Sequence, residues 1–582
     1  MFTPNPATAC DFYKVGHKDM YPLGTNVVYS NFTPRSNKLS TGTSKGKPKS
    51  VIFFGLQHFI KWFLIDYFNA EFFAKPREEV LAKYERRMNT SLGNGVVGSG
   101  HIGALHDLGY LPIEIKALPE GSLVPIKVPA FVVKNTLPEF FWLTNYLETV
   151  FSCESWKAIT SATTAFEYRV LLTQFAKDTG ASQDFVLWQG HDFSMRGMSG
   201  LYDAASSGSG HLTAFLGTDT IPAIDLMEYS YHGLDTFVGG SVPATEHSVM
   251  CAGGKSDELE TFRRIIKDVV PSGIVSVVSD TWDYWKVITE YAATLKDDIL
   301  SRKPNALGMA KVVFRPDSGD PVQIICGKEV IEDYTEAGSL SAAASWVSEA
   351  AADDVREETP HGECGDDSVV TTFKYEGVYY KVETSFDWNR YDKQYYYIDG
   401  VRTGTPTPYT PTPEDMGSVE CLWNIFGGTI NELGYKTLNQ RVGLIYGDSI
   451  TLARAEEILK RLKAKGFASD NVVFGIGSYT YQYITRDTYG FAMKATYSEV
   501  SGEGHELFKD PVTDSGTKKS AKGLLRIETE NGEYVLYDQQ SLDQEQLGEL
   551  KTVFKDGVLV VDQTLVEIRQ RVTEAVNARI GG

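Results

Sequence analysis

The chain has 582 residues, of which 42% are hydrophobic, 23% charged and 12% aromatic, the make-up of a soluble compact protein with room for two or more domains. A net charge of −20 argues against general nucleic-acid binding, because the phosphate backbone rewards an excess of Lys and Arg. Six cysteines lie far apart without CxxC spacing, and neither a charged-then-apolar leader nor a stretch of about 20 apolar residues occurs. A disulfide framework, a zinc site, a membrane span and secretion are all disfavoured, and a reducing cytoplasm is the expected location.

Residues 1–150 read as an α/β domain, with strand-like pieces at 27–32 and 51–54 and an aromatic helix over 56–73. The Ser-, Gly- and Lys-rich segment 34–50 between those strands predicts a mobile loop. From 138 to 177 apolar residues recur at helical spacing. Short apolar runs then alternate with helix-compatible stretches, and each run ends in a polar or glycine-containing cluster. The run 185–188 precedes Gly190-His191-Asp192-Phe193, 213–216 precedes Gly217-Thr218-Asp219, and 274–278 precedes Ser279-Asp280. The run 312–314 precedes Arg315-Pro316-Asp317-Ser318-Gly319, 444–446 precedes Gly447-Asp448-Ser449, and 472–474 precedes Gly475-Ile476-Gly477-Ser478. Such alternation predicts a parallel sheet covered on both faces. In these sheets and barrels ligands bind at the carboxyl ends of the strands, where all six clusters fall.

The alternation is interrupted over 323–441. An Ala-rich acidic stretch at 342–367 is followed by FKYEGVYYKVETSFDWNRYDKQYYYIDG, which alternates like antiparallel hairpins, and by the proline-stiffened TGTPTPYTPTPEDMG. This predicts a β-rich surface insertion, whose tyrosines either stack within hairpins or form a partner-binding face.

Several clusters can carry chemistry. Glu246-His247 sets a carboxylate beside a histidine in a small-residue loop, as a general acid/base or a nucleophile toward phosphate needs, although such pairs also occur as plain surface pairs. Arg315 and Asp317 offer a guanidinium and a carboxylate in a tight turn, suited to sugar hydroxyls and a phosphate or simply to a turn. Gly475, Gly477 and Ser478 can present backbone N–H groups to phosphate, with Arg486, Lys494 and Lys518 as cations downstream. No Walker A spacing, dinucleotide fingerprint, HExxH or DxDxDG is present.

The ordered segments DFYKVGHKDMYP, FFGLQHF, LPIEIKALPEG, WLTNYLET, HDFSMRG, LGTDT, SVPATEHS, VSVVSD, RPDSGDP, YGDSI, FGIGS, TRD and FKDPVTD span nearly the whole chain apart from the insertion. Through them the sequence resembles the nicotinamide phosphoribosyltransferases, of the type II phosphoribosyltransferase family. The resemblance implies an irregular α/β barrel over 151–494, beside an α/β domain of residues 1–150 that is joined by 495–582. It also implies transfer of phosphoribosyl from phosphoribosyl pyrophosphate to nicotinamide, with pyrophosphate leaving through a cation-like sugar.

By the same resemblance, Phe193 and Tyr13 would sandwich the pyridine ring, Arg196 would lie beside ring and phosphates, and Asp219 would face the carboxamide. Ser241, Ala244 and Ser276 would line the substrate. His247 would be phosphorylated at the expense of ATP, with Glu246 and Asp280 orienting it and Arg315 near the phosphate. Asp317, Gly447 and Asp448 would meet the ribose, Gly475, Gly477 and Ser478 the phosphate, and Arg35, Arg486, Lys494 and Lys518 would add cations. Some of these groups and Tyr13 would come from a neighbouring subunit, which implies a homodimer with shared sites. Mg²⁺ would be held mainly by pyrophosphate, with no dedicated protein cage. No nucleic-acid or membrane partner is implied.

The chain departs from the family pattern at Ser194 and Ser478, where glycine is common, and at Arg441 and Gly443, where an arginine appears shifted by two residues. The insertion has no assigned family counterpart. Transfer to nicotinate is the rival activity, against which Asp219 argues by charge repulsion, and a catalytically silent binding relative is the rival class.

Overall fold

The parallel strands expected from the sequence are present, and they close on themselves. In the computed structural model, which describes residues 4–328, 331–359, 364–391, 395–447, 449–508 and 521–581, six strands form one parallel sheet. They are β1 (Gly190–Asp192), β2 (Gly217–Thr218), β3 (Gly273–Val278), β4 (Ala310–Arg315), β5 (Val442–Tyr446) and β6 (Val473–Ile476), paired in the order β2-β1-β6-β5-β4-β3. The two edges, β2 and β3, are bridged by residues 240–244. Gly240 pairs with Gly217 and Ala244 with Ser276, both parallel. Thr218 N donates to Gly240 O (3.0 Å) and Ser276 N to Pro243 O (2.9 Å). The sheet is therefore a closed, irregular barrel whose segments follow one another around the ring in chain order, which leaves no unpaired edge.

Two of the expected strands are something else. Residues 185–188 enter a single helical turn (Val186–Gln189), and the chain becomes extended only at Gly190. Residues 213–216 are a turn, and β2 is two residues long. In both cases the hydrophobicity serves burial without strand pairing, a distinction that an apolar run does not make. Phe215 stacks on His211 at 5.0 Å and lies so close over Gly190 that a Cβ there would meet its ring at 2.9 Å.

A second, antiparallel sheet is built from both ends of the chain. Its strand order is Glu503–Glu506, Ala492–Val500, Thr25–Thr33, Phe131–Asn135, Ile113–Ala117, Lys551–Lys555 and Val558–Leu559. Phe32 anchors its core, stacked on Phe131 (4.9 Å) and Phe491 (5.3 Å). The helix α1 (Glu148–Thr179) joins the two bodies, since Phe151 and Ile159 belong to the core of this sheet while Ala162, Phe166 and Leu172 belong to that of the barrel. Its small residues permit close packing: a Cβ on Gly210 would meet Ala158 O at 2.8 Å. The loop 34–50, expected to be mobile, is tied to the barrel, for Ser44 donates its backbone N–H (2.7 Å) and its hydroxyl to Glu456.

The insertion is a small layered body. It leaves after α2 (Pro321–Cys326), packs α3 (Leu340–Glu358) on a sheet of strands Ser368–Tyr375, Val378–Tyr391, Tyr395–Thr403 and Thr407–Pro408, and encloses a core of its own at Ala343, Ala344, Val347, Phe373 and Val382. The helix α4 (Ser418–Phe426) that follows contributes Val419, Leu422 and Phe426 to the barrel core. After α5 (Leu452–Ala464), Lys465 donates to Cys326 O (2.8 Å) and Met416 O (2.6 Å), tying both necks of the insertion to the barrel.

The last helix, α6 (Leu565–Gly581), buries Leu565, Ile568, Val572 and Val576 against the barrel. From it Arg569 donates to Leu212 O (2.9 Å), Phe237 O (2.7 Å) and Val238 O, pinning the chain just ahead of the closing segment 240–244. Burial lowers the Arg569 pKa to about 10, and the three carbonyls satisfy its donors. No helix among the described residues is long and apolar enough to cross a membrane.

Candidate active site

Because all barrel segments are parallel, the clusters singled out in the sequence gather at one mouth. Two carboxylates organise it. Asp219, just beyond β2, has a side chain 42% exposed. Its Oδ1 accepts from His191 Nε2 (2.9 Å) and from the Ser241 hydroxyl (2.5 Å), while no donor among the described residues reaches Oδ2. Partial burial alone would raise the Asp219 pKa, but His191, Ser241 and the charge of Arg315 outweigh it and hold the carboxyl below its ordinary value. The His191 ring in turn lies 4.5 Å from the Phe193 ring, so the anion and the aromatic face share one neighbour. Ser276 on β3 is buried, and its hydroxyl has no hydrogen-bond partner among the described residues.

The second carboxylate, Asp280, is 4% exposed beside a His247 side chain that is 50% exposed. Its Oδ1 lies 3.2 Å from His247 Nε2, and its Oδ2 accepts from Asp317 N (2.9 Å), Ser318 N (2.8 Å) and the Ser318 hydroxyl (2.5 Å). Burial would push the Asp280 pKa up, yet these donors and His247 hold it down. Glu246 does not join them; its carboxylate accepts from the Ser248 hydroxyl. Arg315, at the end of β4, donates to Thr245 O (2.9 Å) beside Ala244, and its Nε lies 3.6 Å from Asp317 Oδ1. The guanidinium thus ties the closing segment to the turn that carries Asp317.

The glycines are required sterically. A Cβ on Gly447 would collide with the Asp317 carboxylate, and one on Gly475 would meet Tyr446 O at 2.5 Å and the Phe193 ring at 2.8 Å. Ser194 and Ser478, expected from the sequence to depart from the resembled pattern, are accommodated separately. Ser478 packs its hydroxymethyl group against Gly197, where a Cβ would collide with it. Ser194 is fully buried, and both its N–H (2.9 Å) and its hydroxyl (2.6 Å) donate to Asp192 Oδ1. Gly477 precedes the short turn Ser478–Tyr481, where Tyr481 meets His211 Nδ1 at 2.7 Å. Burial lowers the His211 pKa to about 4, so the ring is neutral and bonds Gly217 O from Nε2 (3.0 Å), fixing β2 beneath Asp219.

The other expected site residues lie elsewhere in the chain. Arg196 is exposed on the turn Met195–Gly197. Tyr13, 60% exposed, packs edge-on against His17 at 5.4 Å with Lys14 above its ring, while the ring neighbour of Phe193 is His191. Arg35 and Arg486 form a cationic face beside the two-ended sheet. Arg35 bonds Gly490 O (2.8 Å), and burial and the charge of Arg486 lower its pKa. Lys494 lies opposite Asn31 in the same sheet. Asp448 and Lys518 fall outside the described residues. The sequence motif alone assigns His191 and Asp192 no role; the signal for one is their place directly before Phe193 at a strand end. Among the described residues no group of three or more His, Cys, Asp or Glu could hold a metal ion.

Comparison with known proteins identifies relatives over the full chain. The model of the nicotinate phosphoribosyltransferase family matches residues 188–345 and 380–558, and that of the nicotinamide phosphoribosyltransferase N-terminal domain matches residues 5–104. The chain is 53% identical over 577 residues to the nicotinamide phosphoribosyltransferase of Acinetobacter baylyi, covering 99% of both chains, so the insertion has a counterpart there. It is 31% identical to that of Mycoplasma pneumoniae, over 88% of this chain and 94% of the other. Among solved structures, nicotinate-nucleotide pyrophosphorylase from Pyrococcus furiosus is similar at a TM-score of 0.47 and 13% identity, covering 100% of this chain and 97% of that one.

Proposed function

The chain belongs to the nicotinamide phosphoribosyltransferases, within the wider nicotinate phosphoribosyltransferase family, and from that premise we propose the division of labour at its mouth. It is a pentosyltransferase that joins nicotinamide to phosphoribosyl pyrophosphate, yielding nicotinamide mononucleotide and pyrophosphate, a step of NAD salvage.

The observation that carries the substrate reading is the ionised Asp219, locked through one oxygen by His191 and Ser241. Its second oxygen accepts the NH₂ group of the carboxamide, while the unpartnered Ser276 hydroxyl can donate to the carbonyl. Nicotinate would set a second carboxylate against Asp219, and the preference for the amide follows from that repulsion. Phe193 stacks on the ring and orients its nitrogen toward C1 of the ribose. Arg315 offsets charge on the phosphates and Asp317 meets the ribose hydroxyls, close to the backbone of Gly447. Gly475, Gly477 and Ser478 border the 5-phosphate.

In this reading His247 takes the γ-phosphoryl group of ATP and releases ADP, with Asp280 as its anchor. Mg²⁺ would be held mainly by the pyrophosphate oxygens of phosphoribosyl pyrophosphate, since no group of three or more His, Cys, Asp or Glu among the described residues could cage it. A second copy of the chain supplies Tyr13 to the other face of the ring and Arg35, Arg486 and Lys494 to the phosphates. Support comes from the exposure of Tyr13 and from the placing of Lys494 in, and Arg35 and Arg486 beside, a sheet apart from the barrel strands. Six free cysteines agree with a cytoplasmic setting. The test follows mononucleotide formation from phosphoribosyl pyrophosphate and Mg²⁺ with nicotinamide or nicotinate in competition, with and without ATP. Preference for nicotinate would overturn the role given to Asp219.

A further inference from the structure

The insertion leaves and rejoins the barrel at the end opposite the mouth. β4 rises to Arg315, α2 turns back, and the chain returns through α4 and Lys436 before β5 rises again. Lys436 and Phe467, which precede β5 and β6, pair with each other there. Between the insertion and α4 lies a cleft of about 520 Å³, lined by Asp333, Lys374, Tyr379, Met416, Glu420 and Lys436, with Pro411 and Asn424 on its wall. That size is in the range of small-molecule sites.

The cleft is lined by Asp333, Glu420, Lys374 and Lys436, and Lys465 beside Glu420 leaves this cluster with an excess of positive charge. Glu420 is taken up by Lys465 (2.8 Å) and by the Tyr379 hydroxyl (2.7 Å). Asp333 accepts from the N–H and the hydroxyl of Thr335. Lys374 Nζ lies 4.5 Å from the centroid of the Tyr379 ring, and Lys436 Nζ lies 5.6 Å and 5.3 Å from those of Trp423 and Phe467. Among the described residues no carboxylate stands at ion-pair distance from either ammonium. Burial lowers the Lys374 pKa, and Lys465 and Lys436 add to this against the pull of Glu420 and Asp333. Two ammonium groups on flexible stems, facing one space, suit a phosphate.

We propose that this cleft is a second ligand site for a small phosphate ester, its phosphate held by Lys374 and Lys436 and its organic part resting on Tyr379, Pro411 and Met416. The site is separate from the mouth, so it can bind a regulator while the barrel turns over.

The test is calorimetric titration of the full chain with ribose 5-phosphate at low salt, for the wild type and for the double variant Lys374→Ala, Lys436→Ala. The wild type should show two classes of site, and the variant should lose one of them by about tenfold or more in affinity. Identical isotherms would overturn the proposal. Inorganic phosphate should bind the cleft more weakly than the ester; equal affinity would overturn the part given to the apolar wall. If the double alanine variant does not fold, the single variants Lys374→Met and Lys436→Met keep an unbranched stem of similar length without the charge and serve the same comparison. Transfer activity without added ester should stay within about twofold of wild type, which keeps this test independent of the catalytic reading. A loss of about tenfold or more would overturn the separateness of the two sites.

Discussion

Asp280 Oδ1 lies 3.2 Å from His247 Nε2, while its other oxygen is fully engaged by the turn that carries Asp317. A nearly buried carboxylate therefore couples the exposed imidazole to the ribose-facing turn. Replacing Asp280 by Asn should abolish stimulation by ATP, leave slow transfer in its absence, and raise KM for phosphoribosyl pyrophosphate. Equal stimulation in the variant would remove Asp280 from that role.

The same carboxyl makes a pH prediction. Its folded pKa lies below the reference value of 3.8, so the stability it contributes is complete above about pH 4 and disappears as pH falls through the depressed value. Urea unfolding of wild type and Asp280→Asn should differ at pH 6 and converge at the acid end. A constant difference across that range would count against the assignment.

For Asp219→Asn, discrimination between nicotinamide and nicotinate should fall by about tenfold or more, because the repulsive element is gone while the shape is kept. His191→Ala should produce a smaller loss of the same kind, acting through the position of Asp219. Ratios of kcat/KM for the two bases provide the measurement, and an unaltered ratio in both variants would refute the account.

Gly447→Ala should lower kcat/KM by about 100-fold, since the new methyl group must displace the Asp317 carboxylate and an ångström-scale shift at a reacting centre has that effect. Its thermal midpoint should move little by comparison. Near-normal turnover would show that the turn has slack.

Shared sites can be tested by mixing. Tyr13→Ala and Asp219→Asn preparations, each impaired alone, should regain nicotinamide-selective activity when unfolded and refolded together, because one site in a mixed pair is intact. Purely additive activity would refute a shared site.

Arg569→Ala should cost about 2–4 kcal/mol in urea unfolding, as three carbonyls lose their donor at the seam of the barrel. A loss below about 0.5 kcal/mol, the range of ordinary surface substitutions, would mean that the seam holds without it.

The strand-end clusters were legible because parallel strands concentrate polar residues at one end, and that rule alone gathered Asp219, Asp280, Arg315 and Gly475. What closes the barrel was not. Residues 240–244 read Gly-Ser-Val-Pro-Ala, with no run of β-branched residues, and they pair only through isolated bridges at their two ends. Phe215 misled in the opposite direction, since burial across Gly190 gave a helix-to-strand turn the hydrophobicity of a strand. The partner of Asp219 was hidden for a different reason: His191 lies 28 positions away in sequence, and only the parallel pairing of β1 with β2 brings them together. The base of the insertion was equally silent, because the link from Lys465 to Cys326 and Met416 joins segments with no common pattern.

The seam pinned by Arg569 also has a bearing on biogenesis. The groups of the mouth are synthesised well before α6, yet the ring they sit on acquires its fastener only when residue 569 has cleared the ribosome tunnel. A nascent chain that has not yet exposed that residue carries the barrel's mouth residues on a ring closed by the backbone bonds of 240–244 alone, so the seam should reach its full strength only once α6 has docked.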